Sequence, residues 1–213
     1  RINELIGLSR DRRVRYQVVA RDWFENKNLE VNHQGVLLEM QSVKMMNERD
    51  FKDWCEQGEI PKLFLIVDGM TDPRNLGACL RSANAAGVDA VLLPKRRIAP
   101  LSSTVMRVAQ GGCEELSLVE LGNIARTLKW LQERGVWIIG ADARGGSIWE
   151  SNLDNRPVAL VVGDEGRGLR RLTKELCDEM VGIPMFGTVE SLNVSVATGV
   201  LLFELRRKKA RIP

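Results

Sequence analysis

Residues 183–202 read IPMFGTVESLNVSVATGVLL, from Ile183 to Leu202. An apolar strand end, Val181 to Ile183, runs into Pro184 and a glycine turn at Gly187. Ser191 then opens a helix that is apolar on most of its circumference: Leu192, Val194, Val196, Ala197, Val200, Leu201 and Phe203. A helix apolar all round is a buried helix. Its first turns nevertheless carry Ser191, Asn193, Ser195 and Thr198. Buried polar groups must be hydrogen-bonded or they cost stability. These groups therefore either cap the backbone or face a ligand. Capping accounts well for Ser191, and leaves Asn193 and Ser195 unexplained.

Working back from this stretch, the pattern from Lys62 onward alternates strand and helix. Strands are expected at Leu63–Val67, Ala90–Leu93, Glu115–Val119, Val136–Ile139, Val158–Val162 and Val181–Ile183. Most are short continuous apolar runs, as in parallel strands covered on both faces. Helices are expected at Leu76–Ala86, Ser103–Gln110, Gly122–Arg134, Gly168–Leu176 and Ser191–Lys208. The fold class is therefore α/β, a doubly wound parallel sheet flanked by helices. Such sheets bind ligands beyond the carboxyl ends of their strands.

Two further strand ends carry unusual sequence. After Val67 comes DGMTDPRNLGACLRSA, Asp68 to Ala83. Asp72-Pro73 makes a turn, and Asn75 at the helix start is either an N-cap or a site residue. Gly77 and Ala78 leave room for close approach. Arg81, in a helix otherwise small and apolar, suits pairing or phosphate binding better than a solvated face. After the strand Val158–Val162 comes GDEGRGL, Gly163 to Leu169. Its glycines permit close backbone approach and a tight helix entry. It is neither a Walker A loop nor a dinucleotide fingerprint. Glu165 there is either an exposed loop carboxylate or an acid, base or orienting group.

Length and composition set the outer limits. A chain of 213 residues, 44% hydrophobic and 28% charged, suffices for one sizeable core plus a small domain. The net charge of +3 imposes no global field. The basic residues cluster at Arg10–Arg15, Lys95–Arg97, Arg167–Arg171 and Arg206–Arg211. Such clusters are either phosphate-binding or solvated faces. The four cysteines lack CxxC spacing, so no zinc site, redox dithiol or other metal site is expected, and their scatter fits a reducing compartment. No apolar run has transmembrane length, so no membrane partner is expected. The chain begins at Arg1, which suggests missing residues upstream.

Residues 1–43 read as part of a small α/β unit. Strands are expected at Tyr16–Val19 and Val36–Met40, with a helical turn at Asp22–Phe24 and a polar loop at Asn26–Asn32. The unit is too small for a core of its own. Residues 44–61 are a linker or first helix, helical over Asp50–Gln57 and closed by Pro61. His33, the only histidine, suits a structural hydrogen bond better than catalysis.

The three motifs, DPRNLGACLRSA, VVGDEGRGL and IPMFGTVESLNVSVATGV, resemble those of the SPOUT superfamily, specifically its TrmH-like RNA 2′-O-methyltransferases. The resemblance covers residues 63–207 closely. HQG at 33–35, TDPRNLGACLRSANAAGV at 71–88 and RRLTKELCDE at 170–179 point to the branch that methylates a guanosine ribose in 23S ribosomal RNA. The resemblance implies a C-terminal trefoil knot, bound S-adenosylmethionine, a homodimer with a shared site, a cytoplasmic location and a ribosomal RNA substrate. It makes residues 1–43 part of an N-terminal RNA-binding domain and residues 44–213 the SPOUT methyltransferase domain. It also assigns cofactor binding to Gly163, Ile183 and Leu192, and the catalytic cluster to Asn75, Arg81, Glu165, Ser191 and Asn193. Methylation of tRNA or of another rRNA ribose, and a non-catalytic RNA-binding or assembly role, remain as alternatives.

Overall fold

The computed structural model describes residues 2–27, 33–39, 43–57, 63–153 and 155–210. Residues 28–32 of the expected loop Asn26–Asn32, together with Met40, Pro61 and Arg211, lie outside them. The chain divides into two units, Arg1–Ser42 and Val43–Pro213.

The first unit contains α1 (Ile2–Asp11) and α2 (Arg21–Glu25). Neither helix buries a residue, in keeping with a piece too small for a core. Among the described residues the expected strands are not formed: residues 16–19 and 36–39 enter no ladder. Extended segments become strands only with a hydrogen-bonding neighbour, and none of the described residues of this unit provides one. The described residues of this unit thus hold two helices and no strand. His33 stacks on Phe24 at 4.5 Å, and its Nδ1 accepts from the Gly35 amide at 2.9 Å. That is the structural hydrogen bond expected of it.

The second unit opens with α3 (Glu48–Glu56), capped by Asn47, whose side chain accepts from the amides of Arg49 and Asp50. It is built on β1 (Leu63–Val67), β2 (Ala90–Pro94), β3 (Ser117–Leu121), β4 (Trp137–Ser147), β5 (Val158–Val162) and β6 (Glu179–Gly182). The sheet has six strands in the order β3-β2-β1-β5-β4-β6, and every pair is parallel. Side chains alternate across β1. Leu63, Leu65 and Val67 pack with α4 (Pro73–Ala85), α5 (Ser103–Ala109) and α8 (Val194–Ala210) on one face. Phe64 and Ile66 pack with α3 and α6 (Ile124–Gln132) on the other. All five residues of β1, of β2 and of β5 are buried, which explains their unbroken apolar runs.

Two elements differ in kind from the expectation. β4 runs on to Ser147 instead of ending at Ile139, pairing with β6 through an irregularity between Ala141 and Gly146. Polar residues hide this extension, because it lies at the sheet margin. α8 is not buried all round. Thr198, Leu201, Leu202 and Leu205 are buried, whereas Val196 is 52% and Phe203 51% exposed. Thr198 satisfies its hydroxyl on the Val194 carbonyl at 2.7 Å, one turn back.

The chain lays down β1, β2 and β3 in one direction, then crosses to β4 and β5 on the other side of β1. The order reverses between β1 and β5, and a crevice at such a reversal is where open α/β sheets bind ligands.

Candidate active site

The carboxyl ends of β1 and β5 bring three side chains together. Asn75 Nδ2 donates to Glu165 Oε2 at 2.8 Å. Asn193 Nδ2 donates to Asn75 Oδ1 at 3.0 Å and to Glu165 Oε1 at 2.9 Å. Asn193 Oδ1 accepts from the Ser195 amide at 3.0 Å and the Ser195 hydroxyl at 2.6 Å. Both carboxamides are thus oriented by their partners. Asn75 is 8% exposed, and Glu165 faces solvent.

The caps fall elsewhere than expected. α4 is capped by Asp72, which accepts from the Arg74 amide at 2.9 Å and precedes Pro73 at the first helical position. This leaves Asn75, in the same first turn, with its side chain free for Glu165. α8 begins at Val194, so Ser191 does not cap it; Asn193 does, through Ser195. Asn193 is both cap and cluster member, and the choice between those readings dissolves.

Ser191 lies in a cavity of about 340 Å³ next to the cluster. This volume falls at the small-ligand end of the usual range of roughly 300–1,000 Å³. Gly163, Ile183 and Leu192 line it, together with Glu165, Ala141–Arg144 and Val194. The three expected cofactor residues therefore share one cavity. Gly163 is required by the loop itself: a Cβ there would stand 2.2 Å from the Gly168 carbonyl carbon. Gly168, at φ +62°, bonds back to Asp164 in both directions. Gly77 is likewise a packing residue, since its Cβ would meet the Val105 oxygen of α5 at 2.7 Å.

Arg81 stands apart. It is exposed, and among the described residues its side chain makes no hydrogen bond or ion pair. Of the two roles expected of it, pairing or phosphate binding, pairing is not made among the described residues. It shares an exposed face of α4 with Arg74, seven residues earlier. Among the described residues, the C-terminal basic cluster is spent on structure instead. Arg206 Nε donates to the Ala86 carbonyl at 2.7 Å, Lys208 to those of Trp149 and Ser151, and Lys209 to that of Arg156.

The cavity also has a floor that the motifs did not announce. Asp142 and Arg144 lie in the β4 extension, and Lys174 in α7 (Arg171–Glu175) donates to Asp142. That hydrogen bond, aided by the Arg144 amide, holds the Asp142 carboxyl below its ordinary range. The signal available was ADARGG directly after the apolar run of β4. Among the described residues no group of three or more His, Cys, Asp or Glu side chains is placed to hold a metal ion.

The SpoU rRNA methylase family model matches residues 62–203, which span the sheet and all three motifs. The chain belongs to the SpoU rRNA methylase family. It is 47% identical over 197 residues to the 23S rRNA (guanosine-2′-O-)-methyltransferase RlmB of Vibrio parahaemolyticus, covering 92% of this chain and 79% of that one. It is 44% identical over 211 residues to RlmB of Escherichia coli K12, covering 99% and 86%. Among solved structures, an AdoMet-bound rRNA methyltransferase from Sinorhizobium meliloti superposes with TM-score 0.64 at 28% identity, over 68% of this chain and 56% of that one. An RNA 2′-O ribose methyltransferase superposes with TM-score 0.63 at 36% identity, over 70% and 58%. This SpoU methylase thus places Asn75, Glu165 and Asn193 in one network, and Ser191 in the cavity beside it.

Proposed function

We propose that this SpoU methylase transfers a methyl group from S-adenosylmethionine to the 2′-hydroxyl of a guanosine ribose in 23S ribosomal RNA. The observation that carries the reading is the Asn75–Glu165–Asn193 network standing beside a ligand-sized cavity at the sheet reversal. The RlmB relatives carry that activity in their names, and a family neighbour is AdoMet-bound.

The cavity suits that cofactor. Apolar Val162, Leu192, Ala197 and Leu201 line it beside the carboxylates of Asp142, Glu165 and Glu190, which match an aromatic base and cationic groups. Gly163, Ile183 and Leu192 would hold the cofactor, which supplies a methyl on a positively charged sulfur. Aligning the 2′-oxygen with that methyl lowers much of the barrier. Asn75, Glu165 and Asn193 orient the ribose. Arginine is a poor base, so Arg81 acts as a clamp on the neighbouring phosphate and as a stabiliser of the forming alkoxide.

The homodimer belongs to the same proposal. An apolar row on α8, Val196 and Phe203, continues through Leu192 into Phe186 and Val189, which are 94% and 62% exposed. Exposed apolar rows of this kind mark protein interfaces. A partner seated there would supply a group for the exposed Arg81. The threaded C-terminal segment of a trefoil knot is proposed on the crossing that carries Asn193 onto Glu165. Residues 1–43, with exposed Arg12, Arg13 and Arg15, are proposed as part of an RNA-binding domain, and the cytoplasm as the compartment. Among the described residues no helix is long and apolar enough to cross a membrane.

Calorimetry with S-adenosylmethionine, together with mapping of 2′-O-methyl sites in 23S rRNA from cells lacking the protein, tests this. Cofactor binding and one missing guanosine site are expected. No binding and an unchanged methylation map would favour a non-catalytic role.

A further inference from the structure

The cavity loop is held at both of its feet by Asp68, the first residue after β1. The Asp68 amide donates to the Val162 carbonyl at 2.7 Å, where the chain leaves β5. Its carboxylate takes Arg170, where the chain enters α7. Oδ1 accepts from Arg170 Nε at 2.6 Å and from Nη2, and Oδ2 accepts from the Arg170 amide at 3.0 Å. The Asp68 side chain is 0% exposed and that of Arg170 is 47% exposed. Residues 163–169 between those feet include Gly163 and Glu165, both on the cavity wall. Asn75, in the first turn of α4 after the connection that carries Asp68, takes the loop near its apex through Glu165.

We propose that Asp68 and Arg170 are positioning residues for methyl transfer. Their ion pair fixes the span of the Gly163–Leu169 loop, so that Gly163 meets the cofactor and Glu165 meets Asn75 and Asn193 in one register. A carboxylate fully removed from water and engaged on both oxygens is held in one geometry. Its partner's backbone amide is held with its guanidinium, so the loop foot cannot slide without breaking every bond of the pair. Neither residue reaches the reacting atoms; both act through the loop.

The proposal rests on the methyltransferase reading, and its test separates the two. Amide hydrogen exchange is followed at Asp164 and Gly168, which bond to each other across the loop, in the full chain without cofactor. S-adenosylmethionine affinity and single-turnover methyl transfer are measured alongside. Arg170→Ala is expected to speed exchange at these two amides about tenfold or more, with strands β1 and β2 unchanged. Cofactor affinity and the single-turnover rate should each fall by a similar factor. Arg170→Lys, which keeps a charged donor, should recover part of each loss. The double variant Asp68→Asn/Arg170→Ala should be no worse than the worse single variant. Unchanged exchange and affinity in Arg170→Ala would overturn the proposal, as would exchange rising equally throughout the sheet. If Asp68→Asn does not fold, Arg170→Ala and Arg170→Lys still decide it. A wild-type chain that binds no cofactor would sink the functional reading alone, since loop exchange would still report the clamp.

Discussion

Asn193 Nδ2 donates to Asn75 Oδ1 at 3.0 Å although the two residues stand 118 positions apart in the chain. The same carboxamide accepts from the Ser195 amide and so starts α8. One side chain thereby links the first and third motifs and fixes where the last helix begins.

This double duty separates by substitution. Asn193→Ala removes the cap and a partner of buried Asn75, at a cost of about 1–2 kcal/mol. Asn193→Ser keeps a capping oxygen and lacks the Nδ2 donor. It should recover most of the stability in urea melts and little of the turnover. Equal recovery of both would make Asn193 a cap only.

Arg81→Ala should leave cofactor affinity and the oligomeric state unchanged while lowering turnover by about 100-fold or more. Arg81→Lys should fall between, since a lysine offers charge without the planar fork. Wild-type rates from Arg81→Ala would remove Arg81 from the mechanism.

The basic residues divide by where their donors go. Arg206 is turned onto the Ala86 and Gly87 carbonyls, so Arg206→Ala should lower the melting temperature and leave the salt dependence of RNA binding unchanged. Arg81→Ala should do the opposite, reducing that slope by about 1. Binding isotherms from 50 to 200 mM salt, roughly the range in which phosphate contacts are felt, distinguish the two.

The buried thiols give a pH signature. Burial pushes Cys79 up to about 11, against a partial lowering by the Thr198 hydroxyl. A thiol with a raised folded pKa stabilises the fold below its unfolded pKa of about 8.5. That stability is lost as pH rises toward 11, because the unfolded chain releases the proton first. Urea midpoints should fall between pH 8.5 and 11, and Cys79→Ala should flatten that slope. An identical slope in the variant would contradict the assignment.

The exposed row on α8 predicts assembly. Val196→Glu should convert a sedimenting dimer to monomer and lower turnover with it. A wild-type chain that sediments as monomer at micromolar concentration would remove the homodimer.

Much of the fold was legible because β1, β2 and β5 are covered on both faces, and full burial writes unbroken apolar runs. The site was legible where glycine and carboxamide residues follow those runs. Four things were not. The β4 extension lies at the sheet margin, where the polar stretch 142–147 gives no strand signal. The cap of α8 was assigned to Ser191 because side-chain chemistry alone does not fix which residue is the last non-helical one. The exposure of Val196 and Phe203 was invisible because an apolar helix reads the same whether its outer face meets its own core or another chain. The N-terminal strands failed for the complementary reason: Tyr16–Val19 has the composition of a strand and no partner among the described residues of its unit.

The central claim is transfer to a ribose oxygen, and alkaline hydrolysis tests it most directly. A 2′-O-methyl group blocks cleavage of the adjoining phosphodiester bond. A 23S rRNA transcript incubated with the protein and radiolabelled S-adenosylmethionine, then hydrolysed, should release its label in an alkali-resistant dinucleotide beginning with guanosine. Label released in mononucleotides, or no transfer at all, would contradict the account.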